Sequence, residues 1–160
     1  MRIGHRSDIN CAHVTSKDCL SLPWVTELRY LGVYILSSRT FNYSLEYTKR
    51  AFYRAANAIF GKVARAASEE VVLQLIKSKC YLVLLYGLEA CVLTNVENKS
   101  IDFTAKRFFM KLFRTVNSEI ITDCQTFFGV DSPSVRLAKL TVQFVARYKS
   151  TDNYICKLFK

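Results

Sequence analysis

The chain has 160 residues, of which 51% are apolar, so it is long enough to bury one core and too apolar to be disordered. Its 23 lysines and arginines against 13 acidic residues give a net charge of +10, which indicates an anionic partner such as nucleic acid or an anionic membrane surface. No secretory signal opens the chain, and the longest apolar run, residues 81–86, is too short to span a membrane. We therefore expect an intracellular protein, cytoplasmic or nuclear, that does not cross a membrane.

The N-terminal quarter of the chain has the pattern of short strands. It opens directly on the strand-like residues 2–4, which indicates a piece of a longer protein; the alternative is a small protein whose start codon falls inside an old coding frame. Residues 2–26 predict a β-hairpin region with a polar turn at residues 15–18. The best strand candidate is residues 27–36, ELRYLGVYIL, where an aliphatic face alternates with an aromatic face around Gly32.

Helical spacing of apolar residues dominates the chain after residue 40. We predict five helices: about 44–66 with Ser44 as N-cap, 68–86 ended by Gly87, 101–116 capped by Ser100 after a polar linker at 95–99, 118–128 followed by Gly129, and a last one opened by Ser132-Pro133. The tail, residues 151–160, is expected to fray. The predicted fold class is α+β, mainly α: a β-hairpin region over residues 1–36 and a bundle of about five helices over residues 37–160.

The six cysteines favour free thiols over a disulfide framework or a metal site. No pair has the CxxC spacing of a zinc knuckle, and four lie in apolar helical patterns: Cys80, Cys91, Cys124 and Cys156. This pattern is typical of reduced, mostly buried thiols in an intracellular protein. A zinc site is the less favoured alternative, because the four residues that would form it match no standard ligand spacing: His5, Cys11, His13 and Cys19.

Two of the predicted helices carry basic faces. Residues 44–66 hold five bases against one acid, and residues 99–116 again hold five against one, so each segment has a net charge of +4. The candidate phosphate contacts are Arg50, Arg54, Lys62, Arg65, Arg107, Lys111 and Arg114. The last three recur at i, i+4 and i+7, which predicts one continuous basic stripe on a helix. Solvation of ordinary helix faces is the alternative interpretation.

Aromatic residues beside the first basic cluster have two possible uses: Phe41, Tyr43, Tyr47 and Tyr53. They could stack on nucleic-acid bases. Aromatic residues at helical spacing, however, more often pack in a core.

The sequence lacks the motifs of common self-sufficient enzymes. It has no clustered carboxylates for two metal ions, no GxxxxGK[ST] loop, no GxSxG elbow and no HExxH pair. The adjacent acids Glu69 and Glu70 are explained by the start of a helix, where the dipole favours negative charge. We expect no catalytic residue, no metal and no cofactor in this chain. A metal or thiol enzyme would require bound zinc or a reactive cysteine with a low pKa.

Four segments, in this order and spacing, carry a family resemblance: RYLGVYI at 29–35, FYRAANAIFGK at 52–62, LIKSKC at 75–80 and LYGLEAC at 85–91. Together they resemble the end of the reverse transcriptase of non-LTR (LINE-type, jockey-like) retrotransposons. The resemblance continues weakly through Asp102-Phe103, residues 110–113 and Phe128-Gly129, and so covers nearly the whole chain.

The resemblance implies a role for each part of the chain. Tyr30, Leu31 and Gly32 would correspond to the primer-grip strand at the base of the palm, and the helices after Thr40 to the thumb, which holds an RNA–DNA duplex through its backbone. The FADD-type aspartates that bind Mg²⁺ in the full-length parent family would lie upstream of Met1. The implied function is that of a fragment of an RNA-directed DNA polymerase that binds nucleic acid without independent catalysis, with the palm and fingers as further partners.

Two further expectations follow from the resemblance. Reversing Arg107, Lys111 and Arg114 to Glu should abolish duplex binding and leave the fold intact. Absence of a palm should leave apolar area exposed around Trp24, Leu31 and Val33 and lower the solubility. The alternative to a duplex-binding fragment is a degenerate relic, or a protein-interaction module that uses the old thumb fold.

Overall fold

Short antiparallel strands make up the first of two compact units, Met1–Tyr47 and Thr48–Lys160. The computed structural model describes residues 1–5, 7, 12–63 and 66–158. Strands β1 (Val14–Thr15) and β2 (Ser21–Leu22) form one hairpin, and β3 (Glu27–Tyr30), β4 (Val33–Leu36) and β5 (Asn42–Tyr43) form a sheet in the order β3-β4-β5. These sheets, followed by helices, confirm the predicted α+β, mainly α, fold class.

The hairpin of β1 and β2 confirms the predicted hairpin region, but its turn lies at different residues from the predicted turn. Its strands flank a turn in which the Ser16 N–H donates to the Leu20 carbonyl at 2.9 Å, so the turn lies later than the predicted residues 15–18. Residues 9–11, the start of the predicted first strand, lie outside the described residues.

The segment predicted as one strand, residues 27–36, is a hairpin. Tyr30 pairs with Val33, and φ is 47° at Leu31 and 86° at Gly32. Positive φ at both central residues is typical of a type I′ turn, which matches the twist of the flanking strands. The one-strand prediction is therefore wrong, because the chain reverses where glycine accepts a left-handed conformation without steric cost.

Because the segment is a hairpin, its residues are divided between the two faces of the sheet differently from the prediction for a single strand. Directly opposed residues share a face, so Leu28 and Tyr30 of β3 lie on the same side as Ile35 and Val33 of β4. On the other face, Arg29 lies directly opposite Tyr34. The Arg29 guanidinium is 5.6 Å from the centroid of the Tyr34 ring. Tyr34 also stacks on Tyr47, with ring centroids 3.6 Å apart.

The substitution Leu31→Asn is expected to stabilise the β3–β4 hairpin by about 1 kcal/mol, because asparagine tolerates positive φ and Asn-Gly is the preferred type I′ pair. Leu31 is 73% exposed, so little packing is lost. Thermal unfolding and amide exchange at Tyr30 and Val33 would measure the effect. Leu20→Asn is the matched control, because Leu20 is 67% exposed in the same unit and lacks a positive φ. Equal stabilisation by both variants would contradict the turn explanation.

The second unit is helical. The first three residues of its first helix belong to the first unit. The helices are α1 (Leu45–Val63), α2 (Glu69–Leu75), α3 (Tyr81–Leu85), α4 (Asn95–Leu112), α5 (Ser118–Phe127), α6 (Pro133–Ser150) and α7 (Tyr154–Leu158). A π-helical turn, Ile76–Cys80, joins α2 to α3, and a 3₁₀ turn, Leu88–Ala90, follows Gly87. The predicted starts after Ser44, Ser68 and Ser132 are confirmed. The tail contains α7 where fraying was expected.

Helix α4 begins six residues earlier than predicted. Its N-cap is Thr94, whose Oγ1 accepts from the Glu97 N–H at 3.3 Å, while Glu97 Oε2 accepts from the Thr94 N–H at 2.7 Å. This is a capping box, which satisfies two backbone donors that the first turn leaves unpaired. The prediction of a linker at 95–99 and a cap at Ser100 is therefore wrong.

The core of the second unit lies where α1, the π-helical turn, α3 and α4 meet. The largest side chains with almost no exposure are Tyr81, Phe52, Phe109, Ile76, Leu84, Leu88 and Ile101. Residues 81–86 were expected to lie at the centre of the core because they are apolar on all sides of the helix. They are only partly buried, since the side chains of Leu82 and Tyr86 are more than half exposed.

Asp102 of α4 accepts hydrogen bonds from the first turn of α6. Its carboxylate accepts from the Ser134 N–H at 2.8 Å and from the Ser134 hydroxyl at 2.7 Å. This is the first turn of α6, where unpaired N–H groups and the helix dipole favour a negative charge. Asp102, one of the few acids near the basic helices, therefore has a structural reason for its position.

Candidate nucleic-acid interface

Positive charge is concentrated in the helical unit. Residues 48–160 contain 18 lysines and arginines against nine acids, a net charge of +9, whereas residues 1–47 contain five against four, a net charge of +1. The charge of the chain therefore belongs to the unit that contains most of α1 and all of α4.

Helices α1 and α4 meet through aromatic side chains. Phe108 of α4 contacts Phe52 and Phe60 of α1 edge-to-face, with ring centroids 6.5 and 6.3 Å apart. Phe52 and Phe108 are buried. Edge-to-face pairs add orientation to the burial of apolar area, so this contact holds the two helices in a defined relation.

A polar contact joins the outer faces of the same two helices. Lys111 Nζ donates to Asn57 Oδ1 at 2.9 Å and lies 4.8 Å from the centroid of the Phe60 ring. Both interactions are typical of an ammonium group held at a helix–helix boundary. The basic face of α4 is thus placed beside the outer face of α1.

We define the basic strip as Arg50, Arg54, Asn57, Arg107 and Lys111. Arg50, Arg54 and Asn57 recur at i, i+4 and i+7, so they form one line along α1, and Arg107 precedes Lys111 by one turn on α4. All five side chains are exposed. The Lys111–Asn57 contact therefore joins two helix lines that hold four of the seven predicted basic residues, and it adds Asn57, which no charge pattern could indicate.

Arg114 does not continue the α4 stripe. The helix ends at Leu112, and Arg114 has a φ of 52°. The Thr115 N–H donates to the Met110 carbonyl at 3.2 Å, the bond expected when a left-handed residue ends a helix in a Schellman motif. The predicted helix to residue 116 and the predicted i, i+4, i+7 stripe are therefore wrong at their C-terminal end, since the backbone turns away at Arg114.

The substitution Arg114→Gly is expected to raise the free energy of unfolding by about 1 kcal/mol, because glycine is the preferred residue at this left-handed position. If Arg114 also contacts phosphate, the same variant binds an RNA–DNA duplex more weakly. Urea denaturation and an anisotropy titration measure the two effects. Arg114→Ala is the control, since it removes the charge and keeps the unfavourable φ. A stability gain in both variants would contradict the backbone explanation.

The other predicted site residues are not members of the strip. Lys62 is exposed on α1, about a third of a turn from the line of Arg50 and Arg54 at 100° per residue. Arg65 lies outside the described residues. Tyr30, Leu31 and Gly32 belong to the first unit, at the tip of the β3–β4 hairpin, where Tyr30 is 61% exposed.

The aromatic residues near the first basic cluster mostly pack within the protein. Tyr43 is buried, Tyr47 stacks on Tyr34, and Tyr53 contacts the edge of Phe52 with centroids 5.7 Å apart. Phe41 is exposed. Of the four candidates for base stacking, Phe41 at 57% and Tyr47 at 37% are exposed, and Phe41 is the more exposed of the two.

The cysteine thiols were predicted to be reduced and mostly buried. Cys19, Cys80, Cys91, Cys124 and Cys156 are free, but only Cys80 is fully buried, and Cys11 lies outside the described residues. Burial raises the pKa of the Cys80 thiol to about 11 and also raises the pKa of Cys91. These two thiols stay protonated at neutral pH, unlike an activated nucleophile.

The part of the chain that the structure describes contains neither a candidate metal site nor a membrane-spanning helix. There, no three His, Cys, Asp or Glu residues come together in a group that could hold a metal ion. Within the same ranges, no helix has both the length and the apolar character that crossing a membrane requires. Comparisons of the chain with protein-family models, with curated proteins and with solved structures found no match.

Proposed function

We propose that this chain binds an RNA–DNA duplex through its phosphate backbone, as the duplex-gripping part of a retroelement RNA-directed DNA polymerase. The observation that carries the proposal is the Lys111–Asn57 contact, which sets the basic face of α4 beside the basic line of α1. A duplex presents rows of phosphates, and a surface with arginines on two adjacent helices can reach more than one of them.

The chemistry of the strip suits phosphate better than bases. Arg54 and Arg107 are exposed guanidinium groups, which bind phosphate oxygens through two parallel N–H donors. Residues four apart on a helix are separated by about 6 Å along its axis, so Arg50 and Arg54 can contact neighbouring phosphates. Such contacts position a duplex and carry no sequence information. We therefore expect binding with little sequence preference.

The hairpin tip supports the primer-grip part of the proposal. Leu31 is held at positive φ and its apolar side chain is 73% exposed, so neither local conformation nor burial explains a leucine there. Residues kept in unfavourable conformations occur preferentially where they contact a ligand or partner. The resemblance assigns the same residues, Tyr30, Leu31 and Gly32, to the primer grip.

Catalysis is not part of the proposed activity of this chain. The carboxylates that would hold Mg²⁺ in a polymerase belong, by the resemblance, to a palm that another segment or chain supplies. The exposed apolar side chains of Trp24 and Leu31 are consistent with a missing neighbour and with low solubility, whereas Val33 is half-buried. We place the proposed activity inside the cell, in the cytoplasm or the nucleus.

A fluorescence-anisotropy titration of a labelled RNA–DNA duplex at several salt concentrations tests the proposal. Binding that weakens with salt, with a slope of about −3 or steeper in a log–log plot, would indicate that at least three phosphates are contacted. No binding at low salt by a protein that circular dichroism shows to be helical would reject the proposal. That outcome would favour the relic or protein-interaction module.

A further inference from the structure

A cavity of about 510 Å³ lies in the helical unit, where α1, α2, α5 and the end of α4 meet. Most of its wall is apolar, with three phenylalanine rings among the lining residues. The apolar lining consists of Phe60, Ala67, Val72, Leu112, Phe113, Cys124 and Phe128. Cavities of about 300–1,000 Å³ with mainly apolar walls and a few polar groups are typical of small-molecule sites. The size and lining of this cavity therefore indicate a ligand site separate from the basic strip.

Two charged side chains belong to the same wall. Glu69 is the first residue of α2, and Arg114 lies just beyond the end of α4. Both side chains are exposed, and within the described residues neither has an ion-pair partner. The two charges are thus too far apart to pair with each other. A ligand that satisfies both must carry its hydrogen-bond donors and its negative charge at different ends.

We propose that this cavity binds a guanine nucleotide. A carboxylate only accepts hydrogen bonds, so Glu69 requires a ligand edge with N–H donors. Guanine carries two adjacent donors on its Watson–Crick edge, N1–H and the 2-amino group, which match the two oxygens of a carboxylate. The donor fork of Arg114 matches the oxygens of a phosphate. An amino acid fits less well, because its amine and its carboxylate are attached to the same carbon.

Phe60 connects the cavity to the basic strip. Its ring lines the cavity, and Nζ of Lys111, a member of the strip, lies 4.8 Å from the centroid of that ring. A strand whose phosphates lie on the strip could therefore place an unpaired terminal guanine in the cavity, as proteins hold unpaired bases against aromatic side chains. This source of the nucleotide rests on the proposed function, whereas binding of a free guanine nucleotide does not.

The test is a titration of the full chain with guanosine 5′-monophosphate, followed by ¹H–¹⁵N NMR. We expect saturable shifts at the amides of Phe113 and Phe128, with a Kd of about 1 mM or lower. Inosine 5′-monophosphate lacks the 2-amino group and guanosine lacks the phosphate. Each should bind at least about tenfold more weakly, because each loses a hydrogen bond to a charged group.

Glu69→Gln is the variant that tests the base edge, and Glu70→Gln is its matched control. Glu69→Gln should weaken binding of guanosine 5′-monophosphate at least about tenfold, because the amide keeps one acceptor and loses the charge. Glu70 is exposed on the same helix and is not part of the cavity wall, so Glu70→Gln should preserve the affinity within about twofold. Equal losses in the two variants would overturn the proposal.

A second comparison identifies the source of the nucleotide. An RNA–DNA duplex with one unpaired 3′ guanine should bind about tenfold more tightly than the blunt duplex if a strand supplies the nucleotide. Binding of the free nucleotide without this gain would assign the cavity to a free nucleotide.

Three results separate this proposal from the proposed function. No saturable shift at the cavity amides at about 10 mM guanosine 5′-monophosphate would overturn it, even if the blunt duplex binds. Equal affinities for guanosine and uridine 5′-monophosphates would also overturn it, because uracil offers a single N–H between two carbonyl oxygens. Nucleotide binding without duplex binding would support the cavity and reject only the proposed function.

Discussion

The double variant Arg54→Glu/Arg107→Glu is expected to weaken RNA–DNA duplex binding at least about a hundredfold at low salt, because charge-assisted hydrogen bonds contribute about 1.5–3 kcal/mol each and both become repulsive. The slope of the log–log salt plot should also fall by about two, one for each lost phosphate contact. Both side chains are exposed, and glutamate favours helices as arginine does, so the fold should persist.

The control variant for this experiment is Lys79→Glu/Arg147→Glu. It changes two exposed bases away from the basic strip and produces the same net charge, +6 instead of the natural +10. Its duplex affinity should fall far less. Equal losses in the two variants would mean that total charge, and not the strip, attracts the duplex, and would remove the basis for assigning the interface to α1 and α4.

Lys111 and Arg114 are left out of this variant for structural reasons. Lys111 bonds to Asn57, and Arg114 ends α4, so reversal of either charge would change more than the surface potential. The sequence-based expectation that Arg107, Lys111 and Arg114 could be reversed with the fold intact is therefore replaced by the pair Arg54 and Arg107.

The substitution Phe52→Ala is expected to lower the free energy of unfolding by about 3–5 kcal/mol, because it leaves a cavity in a close-packed core. Phe52 has 0% exposure, and its ring lies 6.5 Å from both Tyr81 and Phe108, so it joins α1 to α3 and α4. Domains of this size have total stabilities of about 5–15 kcal/mol, so the loss would be a large fraction. Urea denaturation followed by circular dichroism measures it.

Phe103→Ala is the matched control for the core variant. Phe103 lies on α4 and is 55% exposed, so the same truncation should change the stability by only about 0.5 kcal/mol. A comparable loss in both variants would show that Phe52 does not join the helices as its burial indicates. Phe52→Ala should also weaken duplex binding under conditions where it remains folded, because the contact that aligns α1 with α4 is lost.

Local chemistry made most helix boundaries predictable. Ser132-Pro133 and Gly129 are start and stop signals whose effect depends only on neighbouring backbone groups, and both act as predicted. The start of α4 was missed although Thr94 and Glu97 form a capping box. Val96 is the one apolar residue among residues 95–100, so the first turn has no apolar periodicity to mark it as helix.

The hairpin of β3 and β4 shows a different limit. Residues 27–36 alternate in the same way whether they form one strand or two, and the difference depends on φ at Leu31 and Gly32. A leucine in the first turn position is an unusual choice for a type I′ turn, so the strongest sequence signal for a hairpin, Asn-Gly or Asp-Gly, is absent. The exposed tip was therefore not predictable from the pattern alone.

The fold class, most helix ends and the basic residues along each helix could be predicted from the amino-acid sequence, because these depend on neighbours within about one or two turns. That the bases of α1 and α4 share one surface depends instead on contacts between the two helices. That surface depends on Phe108 packing against Phe52 and Phe60, and on a hydrogen bond between Lys111 and Asn57, which are 54 positions apart. Periodicity describes the face of one helix, but the distance between two helices is set by the side chains that pack where they meet.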